Sequence, residues 1–271
     1  MKYKIVSDSA SNLFELSGVD YACVPLKIIS PTQEYVDTPA LDVDGMIEDL
    51  KKAKGPTRTS CPNAYEWAEA FAGADYVFAV TITSNLSGSC SAAMQAASER
   101  ENVYVVDTLS AGAEIQLIIE KLRDLILEGH DFETIKQQIQ AYQAHTHLLF
   151  SLESLTNLAR NGRVSPAVAK IAGVLGLRLV GKASDHGTLE PMHKVRGEKK
   201  AIATIYSDMR EVGYKGGRVC ISHCQNPDAA KSLEVLIRSE FPKADINIVP
   251  CTALCSFYAE SGGLLVGYED I

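Results

Sequence analysis

At 271 residues, with 46% hydrophobic and 22% charged residues, the chain can bury one large core or two smaller ones without covalent staples. A formal net charge of -8 and the lack of any concentrated basic run argue against a duplex-binding surface, so no nucleic-acid partner is expected. No apolar run reaches the roughly 20 residues that span a bilayer; "AVAKIAGVLGLRLV" is interrupted by Lys170 and Arg178.

"MKYKIVSDSA" enters a strand directly, without an apolar leader. The 7 cysteines, an odd number, suit free thiols in a reducing compartment. A cytoplasmic location is expected from both features.

Strand and helix signals alternate through the first half. "KYKIVSD" and "YACVPLKII" read as strands, "DVDGMIEDLKKA" as a helix with an acidic start and basic end, and "NAYEWAEAF" as a helix capped by Asn63. "DYVFAVTI" and "NVYVVDT" are strands flanking the helix "SAAMQAASER". "AEIQLIIEKLRDLILEG" and "DFETIKQQIQAYQAH" are amphipathic helices. This alternation predicts a parallel, three-layer α/β/α unit. In the second half, "HLLFSL" is a strand, "ESLTNLARNGRVSPAVAKIAGVL" a helix, a polar turn and a second helix, and "RLVGKASDHGTLEPMHKVR" a turn-rich segment with short antiparallel strands around "SDHG". "EKKAIATIYSDMREVG" and "PDAAKSLEVLIRSEF" are helices, while "GRVCISHC", "DINIVPCT" and "GGLLVGYE" are strands. The fold class is α/β with two domains: residues 1–146 with a mainly parallel sheet, and residues 147–271 with a mixed sheet. Their seam is the natural place for a ligand.

Parallel sheets bind ligands beyond the carboxyl ends of their strands. Three turns rich in small hydrogen-bonding residues fall at such places: "SDSAS" (7–11), "TSCPN" (59–63) and "TSNLSGS" (83–89). Helix N-termini favour an anion there, although serines also serve simply as caps. "TSNLSGS" lacks the lysine and glycines of a P-loop, and no G-x-G-x-x-G follows the first strand. "NLSGS" misses the first glycine of the G-x-S-x-G elbow, and His145, His147, His186, His193 and His223 have no marked partner. No catalytic residue is assigned. Cys220, His223 and Cys224 in "CISHC", with Cys251 and Cys255 in "CTALC", lack structural-zinc spacing and read as sheet core, so no metal site is assigned either.

"KIVSDSASNL", "RTSCPN", "ITSNLSGSCSAA", "VYVVDTLSAG", "ESLTNLARNGRVS" and "GGLLVGY" occur in an order that resembles the DegV family, over nearly the whole chain. The resemblance implies two α/β domains holding a long-chain fatty acid between them, which some members present to a separate fatty acid kinase. The family's T-S-x-P-S motif matches Thr59, Ser60, Cys61, Pro62 and Asn63, and its L-S-G-[ST] motif matches Leu86, Ser87, Gly88 and Ser89. Carried over, Thr59, Ser60, Ser87, Gly88 and Ser89 bind the fatty-acid carboxylate. G-G-R-[IV]-S matches Asn161 through Ser165; Arg163, in the turn before the next helix, is a candidate head-group neighbour, with a surface salt bridge as its alternative. The terminal H-x-G-x-G-[AG]-L is "YAESGGL" here: Tyr258 stands where the family has histidine, and Glu260 where it has glycine.

A carboxylate is acceptor-only and needs donors, which these hydroxyls and turn amides supply. The acyl tail needs an apolar lining, expected from Val168, Ile171, Ala172, Val174 and Leu175 in "AVAKIAGVLGL". The expectation is a monomeric, non-catalytic carrier with a bound fatty acid and no other cofactor. Two alternatives are an acyl-transferring enzyme using Ser87, and a binder of another small molecule, given Tyr258. The basic stretch "HKVRGEKKA" (193–201) reads as solvated charge, with a docking face as its alternative.

Overall fold

The computed structural model describes residues 1–165, Val168 and 176–271. A four-stranded parallel sheet in the order β2-β1-β6-β7 is built from β1 (Tyr3–Asp8), β2 (Asp20–Val24), β6 (Tyr76–Thr81) and β7 (Val103–Asp107). The central strands β1 and β6 are buried on both faces over most of their length, as a covered parallel sheet requires, while the edge strands β2 and β7 are mostly half-buried.

Pro25 ends β2. The segment read as one strand over "YACVPLKII" is therefore two, because β3 (Lys27–Ile29) joins a separate antiparallel sheet with β4 (Glu34–Val36) and β5 (Arg58–Ser60). Helix α1 (Val43–Lys52) follows β4. Helix α2 (Ala64–Ala70) opens on a capping box, in which Asn63 accepts from the Glu66 amide and Glu66 from the Asn63 amide.

The second half contains the six-stranded mixed sheet β10-β9-β8-β13-β11-β12. Its members are β8 (Thr146–Leu152), β9 (Leu177–Ala183), β10 (Leu189–Arg196), β11 (Val219–His223), β12 (Ile246–Pro250) and β13 (Leu264–Glu269). The strands around "SDHG" form the expected antiparallel hairpin, β9–β10. Helices α7 (Glu198–Val212) and α8 (Pro227–Glu240) cover one face, burying Ile202, Ile205, Met209, Leu233 and Ile237 in a core with Leu149, Ile221 and Val266.

Helix α4 (Ala113–Leu127) packs between the two large sheets. Apolar residues occur on more than one of its faces, so Ile115, Leu117, Ile118, Ile119, Leu122 and Leu125 are all buried. It starts after Gly112, at φ 60, where a Cβ would lie 2.6 Å from Leu265 Cδ1. Helix α5 (Phe132–Gln143) then leads into β8. No helix among the described residues is long and apolar enough to cross a membrane.

Candidate functional site: a hydroxyl-ended apolar cavity

Two strand-end aspartates organise the loops above the parallel sheet. Asp8, at the end of β1, accepts from the Ala10 amide (3.2 Å), the Ile82 amide (3.0 Å) and Ser89 Oγ (2.7 Å). Asp107, at the end of β7, accepts from the Ser84 and Leu109 amides. The serine-rich turn is thereby fixed, and helix α3 (Ser89–Ala97) starts with Gly88 at its N-cap and no side chain capping it. The hairpin tip between β9 and β10 leans on the same turn: Asn85 Nδ2 donates to the His186 carbonyl at 2.6 Å. Gly187 there, at φ +71, leaves no room for a side chain, since a Cβ would stand 2.1 Å from Thr83 Oγ1.

A cavity of about 300 Å³ opens beside this turn, with Ser87 and Gly88 in its wall. Thr59 and Ser60 reach it from β5. Thr59 Oγ1 lies 2.7 Å from Tyr258 Oη. Whichever hydroxyl donates, the other keeps a proton for a third partner. Burial pushes the Tyr258 phenol up, so it stays neutral, although Thr59 and Arg163 partly offset that. Ser87 Oγ accepts the Ser89 amide at 3.2 Å, which leaves the Ser87 O–H free to donate. Arg163 also lines the cavity, its Nε donating to the Leu86 carbonyl at 3.0 Å. Ser60 Oγ donates instead to the Cys61 carbonyl at 3.3 Å.

The structure thus brings Thr59, Ser60, Ser87, Gly88, Arg163 and Tyr258 to one cavity. Ser89 is different: it is fully buried, its hydroxyl is directed at Asp8, and it does not line the cavity wall. Of the residues expected along the tail, Val168 packs against the main core, while Ile171, Ala172, Val174 and Leu175 lie outside the described residues.

The apolar wall that is described comes from elsewhere. Leu148, Phe150 and Leu152 alternate along β8, which puts all three on one face of the sheet. Leu265 of β13, Leu189 of β10 and Leu158 of α6 (Thr156–Arg160) add to it. Helix α9 (Ala253–Ala259), which local sequence pattern does not predict, contributes Leu254, Cys255, Tyr258 and Ala259. Its N-terminus is capped by Asp37, whose oxygens accept from the Ala253 and Leu254 amides at 2.8 and 3.1 Å. The partner that secures α9 is thus more than two hundred residues away in sequence, invisible to local pattern.

Glu260, directly after α9, has φ 54 and ψ 172. Its carboxylate accepts from Ser154 Oγ (2.9 Å) and the Asn157 amide (3.1 Å), which ties α9 to the start of α6. Cys220 and Cys224 are buried thiols in the main core. Among the described residues, no three His, Cys, Asp or Glu side chains form a metal-binding group.

The cavity can hold an apolar molecule that carries a hydrogen-bond acceptor. The described wall presents hydroxyls and a guanidinium at the turn end, and aliphatic and aromatic surface beyond it. It contains no imidazole or carboxylate among the described residues.

Comparison with known proteins agrees with the motif order. The family model described as "Uncharacterised protein, DegV family" matches residues 2–269. A DegV domain-containing protein of Streptococcus pneumoniae is 41% identical over 279 residues, covering 99% of each chain. The Streptococcus pneumoniae fatty acid kinase (Fak) B3 protein loaded with linoleic acid is similar in structure, with TM-score 0.97 and 41% identity, covering 100% of both chains. A DegV family protein from Eubacterium eligens loaded with heptadecanoic acid gives TM-score 0.96 at 39% identity, covering 99% of this chain and 100% of that one. The chain belongs to the DegV family.

Proposed function

We propose that the protein binds a long-chain fatty acid without transforming it, and presents it to a fatty acid kinase. Residues 1–146 and 147–271 serve as the two lobes of the holder. The observation that carries this reading is the polarity of the cavity: donors at the Thr59, Ser87 and Tyr258 end, apolar residues elsewhere. Two similar proteins hold fatty acids in their solved structures.

The energetics favour a tail-driven carrier. Each hydrogen bond to a carboxylate contributes on the order of 1.5–3 kcal/mol. Each buried methylene adds about 0.8 kcal/mol, so a long tail dominates affinity while the hydroxyls set orientation. An acyl-transferring role for Ser87 needs a base to take its proton. The described wall supplies none, and Ser87 Oγ is already an acceptor for the Ser89 amide. The kinase role draws its support from the similarity to the Fak B3 protein.

Displacement titrations with saturated acids of increasing length test the binding. Affinity should rise about fourfold per methylene until the cavity is full; affinity independent of length would refute the reading. Adding the kinase catalytic subunit of a relative and ATP to the loaded protein should yield acyl phosphate, and failure to do so removes the kinase role alone.

A further inference from the structure

We infer that Asp8 couples ligand binding to proton uptake: a carboxylate seated at the hydroxyl end of the cavity drives protonation of Asp8 through the Ser89–Ser87 link. The inference rests on the fatty-acid reading and concerns how the protein's own charge responds to a filled site.

Asp8 is fully buried beneath the serine-rich turn. Its Oδ2 is 2.7 Å from Ser89 Oγ, and the Ser89 amide is 3.2 Å from Ser87 Oγ, which lines the cavity. The ligand head group and Asp8 thus sit at opposite ends of one short chain of hydroxyl and amide. Among the described residues, the titratable groups facing Asp8 are Asp37, Tyr21, Cys23, Cys90 and Cys255, all neutral or negative.

A second anion at this site therefore raises the cost of the Asp8 charge. The ligand carboxylate gains donors from Ser87 and the Thr59–Tyr258 pair and keeps its charge; the Arg163 guanidinium, in the same wall and bonded to the Leu86 carbonyl, offsets only part of that charge's effect on Asp8. Burial raises the Asp37 pKa as well, against three donors at the α9 N-terminus, but Asp37 neither lines the cavity nor shares the Ser89–Ser87 link. Asp8 is left as the group that yields. Burial already raises its pKa to about 6, so protonation lies close to neutral pH. The proton comes from solvent, and Ser89 Oγ, able both to donate and to accept, turns to receive it.

The test is titration calorimetry of the ligand-free protein with dodecanoate, at pH 6.5, in buffers of different ionisation enthalpy. An upward shift of about one unit takes up about half a proton per ligand at that pH. Uptake should fade by pH 8. Dodecanol, which carries no charge, should bind with no proton exchange. Asp8→Asn should abolish the uptake seen with dodecanoate; if that variant does not fold, the comparison of dodecanoate with dodecanol on the unaltered protein decides. Binding of dodecanoate without proton uptake, equal uptake with dodecanol, or undiminished uptake in Asp8→Asn overturns the inference and leaves the fatty-acid reading standing. Absence of binding by either ligand overturns both.

Discussion

Tyr258 Oη and Thr59 Oγ1 are 2.7 Å apart, although the two residues are separated by 199 positions in sequence. This contact joins α9 of the second half to β5 of the first, at the polar end of the cavity. At the position where the motif resemblance expects histidine, this chain has the phenol of Tyr258, which burial keeps neutral. Removing the phenol oxygen as Tyr258→Phe leaves Thr59 free to donate but unsupported, and should weaken fatty-acid binding about fivefold. Thr59→Val removes the donor itself and should cost tenfold or more. Competition binding reads both; equal affinities for all three proteins would rule out the head-group assignment.

Ala111 lines the cavity in the loop before α4. Ala111→Phe fills part of the space a tail would use. If it excludes about three methylenes, long-chain affinity should fall roughly fiftyfold while acids short enough to stop before it bind unchanged. A uniform loss across chain lengths would show that Ala111 lies off the path of the tail.

The backbone of Glu260, at φ 54 and ψ 172, is in a region that strains any side chain. Its carboxylate offsets that strain by holding Ser154 and Asn157. Glu260→Gly loses the two bonds but relaxes the backbone, whereas Glu260→Ala loses them and keeps the strain. The alanine variant should be less stable than the glycine variant by about 1–2 kcal/mol in chemical denaturation. Equal stabilities would remove the strain argument.

Glu114 is buried between Ser110 Oγ, and Thr146 Oγ1 at 2.8 Å, and burial raises its pKa from 4.5 to about 7. Between pH 5 and 7 the folded state thus binds more protons than the unfolded one, and stability falls as pH rises through that window. The cost at pH 8 is on the order of 3 kcal/mol. Glu114→Gln should be more stable than the unaltered protein at pH 8, with the advantage shrinking toward pH 5.5. Denaturation midpoints that rise with pH in both proteins would contradict this.

The strands and helices with strong local signals are legible in the sequence, because burial on one or two faces writes its own periodicity. The capping box at Asn63 and the antiparallel hairpin around "SDHG" belong here. Features that depend on distant partners are not legible. Helix α9 is secured by Asp37 from the other half of the chain, and its seven residues are too short to show a clear period. Sequence pattern points to one apolar helix for the tail wall, whereas the described wall draws on β8, β10, β13 and α9, each contributing one to four side chains. Ser89 matches a motif, yet its direction is set by Asp8, a contact across 81 positions. Sequence motifs name most of the polar residues that meet at the cavity; which way a given hydroxyl points depends on its neighbours in space.

The most direct measurement is mass spectrometry of the protein purified from bacterial cells, intact under native conditions and again after denaturation and solvent extraction. One long-chain fatty acid per chain, non-covalently held and released on unfolding, is the expected result. A native mass equal to the bare chain, with no fatty acid in the extract and no binding of added acid, would contradict it.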